Sequence, residues 1–137
     1  MKGAIGFFLT MGAVVYAGGS ASVWDGVYAA AQATRGKALF SQQCAACHGE
    51  ALEGKNGPAL ASANFKADFD GLSADDLFEY VQKSMPRGQA GTLTREQTAD
   101  LVAFLFTSNG FPAGSKELPS DAGALKAIRF QAAKPSI

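Results

Sequence analysis

Apolar side chains recur at helical spacing in three stretches of the chain, and no stretch alternates in the manner of a strand. Gln32 to Gln43 carries small or apolar residues at Ala33, Gly36, Ala38, Leu39 and Phe40, which predicts an amphipathic helix running straight into the first cysteine. Gly36 is out of place there. A mid-helix glycine costs up to about 1 kcal/mol against alanine, so a second helix crossing closely at that point is the expected reason for it. A second helix opens at Ser73, where Ser73 and Asp76 have capping-box spacing and Asp75 adds a charge favourable to the N-terminal dipole. Leu77, Phe78 and Val81 mark its buried face. A third opens at Thr94, with Gln97 completing the box, and its apolar positions Leu101, Val102, Phe104 and Leu105 run until Asn109-Gly110 closes it.

Between the first two helices lies an irregular stretch, His48 to Leu72, broken by Gly49, Gly54, Gly57, Pro58 and Gly71. Structureless segments longer than about 15 residues are uncommon in a compact domain unless they serve a site, so the gap itself points to a large ligand. After the third helix, Phe111 to Ile137 contains Pro112, Gly114, Pro119, Gly123 and Pro135. It reads as a tail strapped across the surface, touching it through Leu125, Ile128 and Phe130, with a short helical turn near residues 122–128. The expectation is an all-α fold with long loops.

The first segment stands apart. Lys2 is followed by an apolar run through Ile5, Phe7, Phe8, Leu9, Val14 and Val15, then by Gly18, Gly19, Ser20, Ala21 and Ser22, with no further charge until Asp25. That is the layout of a secretory signal with a small-residue cleavage site, and cutting is expected after Ala21 or Ser22. A membrane span wants about 20 strongly apolar residues, which this run reaches only by borrowing Gly and Ser. Residues 1–22 are therefore assigned to the signal and 23–137 to one domain, with a core over about 30–108 and a wrapping tail over 109–137.

The whole chain has 137 residues, one domain's worth, which argues against a two-domain enzyme with an interdomain active site. Hydrophobic residues make up 47% and charged residues 18%, too apolar for a disordered scaffold. Twelve Lys and Arg balance twelve Asp and Glu, so neither nucleic acid nor an anionic membrane surface is expected as the main partner. Signal removal leaves 11 basic and 12 acidic residues and does not alter that conclusion.

The chain has two cysteines, one histidine and three methionines, and this scarcity limits the chemistry. Cys44-Ala45-Ala46-Cys47-His48 is the attachment signature of a c-type haem: two thiols at this spacing meet the two vinyl groups on one porphyrin edge, and the adjacent imidazole reaches the iron. A structural zinc site needs about four protein ligands, and an iron-sulfur cluster about four thiolates, more than the chain supplies without recruiting carboxylates. A thioredoxin-like Cys-x-x-Cys normally sits in an α/β fold, and no strands are in view. For the sixth ligand, a second histidine does not exist and lysine is protonated at neutral pH. After signal removal Met85 is the only methionine left, placed where the second helix has just ended. A lone methionine is usually core filler, but beside a haem motif its thioether is the natural distal ligand.

Cys44-Ala45-Ala46-Cys47-His48-Gly49, Gly57-Pro58-Ala59-Leu60, Ser84-Met85-Pro86 and the closing helix Ala99 to Leu105 resemble class I cytochromes c over about residues 30–108. Val23-Trp24-Asp25-Gly26-Val27-Tyr28, with Gln32-Ala33 and Asn109 to Gly114, adds a similarity to the monohaem cytochromes that accompany bacterial periplasmic quinoprotein dehydrogenases. The resemblance implies a cytochrome c-like fold of three main helices around one haem c, bound through Cys44 and Cys47. His48 is then the proximal and Met85 the distal iron ligand, and the Pro58 carbonyl accepts the His48 Nδ1 proton, orienting the ring and raising its basicity. It also implies that Gly36 and Phe40 meet Leu101 and Phe104 where the first and last helices cross. Relatives often carry a tryptophan ahead of the second helix that bonds a haem propionate. This chain has Phe69 thereabouts, which leaves Arg87 or Asn64 as substitutes.

With both axial positions filled, the iron has no open site, so the expectation is a monomeric periplasmic carrier of single electrons and not an enzyme. Its partners are redox proteins, such as a quinoprotein dehydrogenase and a terminal oxidase or another cytochrome, with no membrane span after signal cleavage. Electrons are expected to pass at the edge near Cys44, Ala45, Ala46 and Pro86 to Gly88. Two other readings stay open: a fixed haem subunit of a dehydrogenase or oxidase complex, and a peroxidase or gas-binding protein if Met85 does not hold.

Overall fold

Two helices, α1 (Ala30–Gln43) and α5 (Arg95–Ser108), cross at Gly36. Along α1 the buried residues Gln32, Ala33, Gly36 and Phe40 fall on one stripe at helical spacing. A Cβ on Gly36 would overlap the Asp100 carbonyl oxygen and stand 2.9 Å from Phe104 Cβ. The glycine thus lets the two backbones touch, and the Phe40 and Phe104 rings meet beside it with centroids 5.3 Å apart. α5 is buried on almost every side, from Thr98 and Ala99 through Leu101 to Phe106, as a central helix must be. Its end is fixed by Asn109, whose Nδ2 donates to the carbonyls of Leu105 and Leu60, each at 2.8 Å, so the helix terminus also holds the loop before it.

A computed structural model describes residues 21–136 of the chain. The expected leader lies outside the described residues except for Ala21 and Ser22. Those two form a short strand, β1, paired in parallel with β2 (Ile128–Arg129). This small ladder differs from the strandless expectation, and its cause is non-local: the two ends of the domain lie side by side.

α4 (Ala74–Ser84) and α5 start where their capping chemistry requires. Ser73 Oγ accepts from Asp76 N at 3.3 Å while the Asp76 carboxylate accepts from Ser73 N at 2.8 Å. Thr94 and Gln97 repeat the exchange at 3.1 and 2.9 Å. α1 begins two residues earlier than its apolar pattern suggests, after Ala29, which has no side-chain cap to announce it. A one-turn helix, α2 (Ala45–His48), carries the haem motif. The stretch read as irregular contains a further helix, α3 (Ala63–Phe69), opened by Ser62, whose Oγ accepts from Phe65 N at 3.0 Å.

The tail is more than a surface strap. Its helix α6 (Ala122–Lys126) and β2 bring Leu125, Ile128 and Phe130 into the core, with Leu125 and Phe130 fully buried. Phe130 packs against Phe65, Phe69, Phe106 and Phe111, with centroids between 5.3 and 6.3 Å. Upstream, buried Gln32 on α1 is matched to Leu118 at both ends, Nε2 donating to its carbonyl at 3.0 Å and Oε1 accepting its N–H at 2.7 Å. The N-terminal segment closes the same face: Tyr28 Oη donates to the Phe111 carbonyl at 2.6 Å and Trp24 Nε1 to the Gln131 carbonyl at 2.9 Å. Among the described residues no helix is long and apolar enough to cross a membrane.

Candidate functional site

α2 is followed at once by a loop that folds back beneath it. Gly49 ends the helix at φ +84°, in the left-handed region that glycine enters without strain, and a Cβ there would overlap the Glu53 carboxyl. Gly54 N then donates to the His48 carbonyl at 2.7 Å and Gly57 N to the Cys47 carbonyl at 2.8 Å. Gly57 passes so near that a Cβ would stand 2.9 Å from His48 Cε1 and 3.0 Å from Nδ1. The consequence is the next residue's position: the Pro58 carbonyl lies 2.7 Å from His48 Nδ1. A carbonyl only accepts, so Nδ1 carries the proton and Nε2 keeps its lone pair free. His48 is buried, and this bond locks its ring.

His48 opens onto a cavity of about 590 Å³ whose walls come from every main helix. α1 and the residue after it give Phe40 and Cys44, α3 gives Phe65, Asp68 and Phe69, and α4 gives Leu77, Tyr80 and Val81. Leu101 and Leu105, one turn apart on α5, close the far side. Met85 caps α4 in an extended conformation, φ −121° and ψ 154°, with its N–H still bonded to the Val81 carbonyl at 3.1 Å. Because Leu77, Val81 and Met85 are spaced by four, the face of α4 that lines the wall also delivers the methionine to it.

Cys44, Cys47, His48, Pro58 and Met85, all singled out from the sequence, therefore line one space. The two cysteines are unpaired, Cys44 half-buried and Cys47 exposed. Burial, with the neighbouring Cys47 adding to it, pushes the Cys44 thiol up to about 11, so it stays protonated at neutral pH. Of the two substitutes expected near the propionates, Arg87 lines the cavity and Asn64 does not. Phe69 lines it as well and presents no donor. Asn56, Asp68 and Tyr80 are cavity residues the sequence did not reveal, because only the folded loop, α3 and α4 bring them together. Ser62, with its cap, was the one local signal for α3. Near the motif, Ala45 is buried, so the exposed edge is formed by Ala46 and Cys47 instead.

Two thiols, one imidazole with Nε2 free and one thioether, gathered in a largely apolar cavity, fit a covalently attached haem. The helical fold and this donor set define a class I monohaem cytochrome c. A family model described as "Cytochrome C oxidase, cbb3-type, subunit III" matches residues 31–105, and the chain belongs to that family. It is 34% identical over 58 residues to "Cytochrome c-551" of Bacillus subtilis (strain 168), covering 42% of this chain and 50% of that protein. A solved structure, "Crystal Structure of the Sulfane Dehydrogenase SoxCD from Paracoccus pantotrophus", is similar with a TM-score of 0.47 and 31% identity, over 64% of this chain and 53% of the other. The chain thus spans about half the length of the relatives it matches. Membership of this family implies a covalent haem c, and Cys44 and Cys47 have the spacing its attachment requires.

Proposed function

We propose that His48 Nε2 and Met85 Sδ would hold the haem iron, that Cys44 and Cys47 would form the thioethers, and that Pro58 holds the imidazole. The protein would then be a carrier and not an enzyme. The observation that supports this is the convergence of all five residues on one cavity. When bound, the haem would supply one-electron redox chemistry, and with His48 and Met85 both engaged no position would be left for oxygen or peroxide. The residues do the rest. The Pro58 carbonyl keeps the proton on Nδ1 and the ring fixed, so ligation needs no reorientation. Phe40, Leu101, Leu105 and Val81 exclude water, and that apolar shell disfavours the extra charge of the ferric state. Thioether sulfur favours the ferrous state too, so a positive midpoint potential follows.

The carrier works in the periplasm, exported by the leader in residues 1–22, with the domain following it. A quinoprotein dehydrogenase is the proposed donor and a terminal oxidase or second cytochrome the acceptor. Among the residues lining the cavity, the charged ones are Asp68 and Arg87, one of each sign. Docking at that edge therefore rests on small apolar contacts around Ala46, Cys47 and Pro86, and association should depend only weakly on salt. Stopped-flow reduction by such a dehydrogenase should show rates nearly flat across ionic strength. A steep decline would contradict apolar docking. A second reading, a fixed haem subunit of an oxidase complex, is favoured by the family description; co-purification in a stable complex would support it over a free shuttle.

A further inference from the structure

The segment that follows Met85 has few ties to the rest of the molecule. Residues 87–92 are exposed, and Gly88 and Gly91 take positive φ with open space where a Cβ would be. The hydrogen bonds of Pro86 to Thr92 stay inside the segment: Gln89 N to the Pro86 carbonyl at 2.9 Å, Thr92 N and Oγ1 to the Gln89 carbonyl at 3.3 and 2.8 Å. It rejoins the fold at Leu93, which is buried. There one side chain reaches across. Gln82, on the last turn of α4, donates from Nε2 to the Leu93 carbonyl at 2.7 Å. Its Oε1 accepts from the hydroxyl of Thr98, fully buried on α5, at 2.5 Å. Gln82 does not line the haem cavity.

We propose that Gln82 is a positioning residue for the distal ligand: by joining the end of α4, the close of the Met85 loop and the first turns of α5, it holds Met85 at the iron. The inference rests on Met85 as that ligand. A thioether binds ferric iron less well than ferrous, so in the oxidised protein ligation competes with opening of the loop. Opening gains the conformational entropy of several exposed, glycine-containing residues. Gln82 opposes it because its two bonds persist only while Leu93 and Thr98 keep their places. Both arms are neutral hydrogen bonds at a part-buried position, and losing the pair should raise the open population of the ferric state about tenfold. The ferrous state, with its stronger iron-sulfur bond, is affected less, so the midpoint potential falls as well.

The test compares wild type, Gln82→Leu, Gln82→Glu, Thr98→Val and Met85→Ala as haem-loaded proteins. The readouts are the long-wavelength absorbance band of methionine-ligated ferric haem followed against pH, and the midpoint potential. For Gln82→Leu the pH at which the band is lost should drop by about one unit, because replacement of the sulfur by one hydroxide from water releases one proton and so couples a tenfold weaker closed state to pH. Gln82→Glu keeps the Thr98 partner and should fall between Leu and wild type. Thr98→Val removes one arm, and should show part of the same shift should the Leu variant fail to fold. Wild-type pH behaviour and potential in the Gln82 and Thr98 variants would overturn the proposal even where thermal stability drops. Failure of the ligand assignment itself has a different signature: no band in wild type, or a band that survives Met85→Ala.

Discussion

Met85→Ala should lower the midpoint potential on the order of 0.2 V, a fraction of the roughly 0.8 V that axial ligands span across haem proteins. The direction follows from the donor. Sulfur withdraws stabilisation from ferric iron, and its replacement, water or hydroxide, prefers the ferric state. The size follows from the cavity: Val81, Leu101 and Leu105 remain, so the apolar contribution to the potential is retained and only the ligand contribution is lost. Met85 is the last residue on the cavity-lining face of α4 and caps the helix through its backbone, which alanine preserves, so the fold should survive. An optical redox titration beside wild type measures the change, and coincident midpoints would remove Met85 from the iron.

Gly36→Ala should destabilise the domain by about 3 kcal/mol, at the upper end for overpacking a core site. On propensity alone the substitution would stabilise α1 by up to about 1 kcal/mol, so the sign of the result decides between local and tertiary control. The added methyl would overlap the Asp100 carbonyl oxygen, lie 2.5 Å from its carbon and 2.9 Å from Phe104 Cβ. These atoms belong to the backbone of α5 or stand directly on it, and no rotamer change moves them away. Separating the helices would also part Phe40 from Phe104 and spread the cavity wall that Phe40 and Leu101 share. A fall in Tm on the order of 10 °C is expected by calorimetry. A rise would mean that the crossing is loose.

What could be read ahead of the structure was what local chemistry encodes. Ser73 with Asp76 and Thr94 with Gln97 announce helix starts because each cap is satisfied within four residues. α1 has no such cap, and it begins two residues ahead of its apolar pattern. α3 is a short helix set among glycine- and proline-marked loops, with Ser62 as its single signal, too little to stand out from irregular chain. Packing of Phe130 against Phe65 and Phe69 and the pairing of Ala21 with Ile128 join residues far apart in the chain, which no local pattern records. The candidate site divides the same way. Cys44, Cys47 and His48 follow from spacing, Met85 from a count, and Pro58 from resemblance. Asn56, Asp68 and Tyr80 reach the cavity only through the fold, and Arg87 does so where Asn64 does not.

The covalent haem is tested most directly on protein made in a host that attaches c-type haems. Intact mass, read beside the visible spectrum, should give the polypeptide plus a single haem and a red protein, and changing both Cys44 and Cys47 to serine should abolish the increment. A colourless product of bare polypeptide mass from the unaltered chain would contradict it.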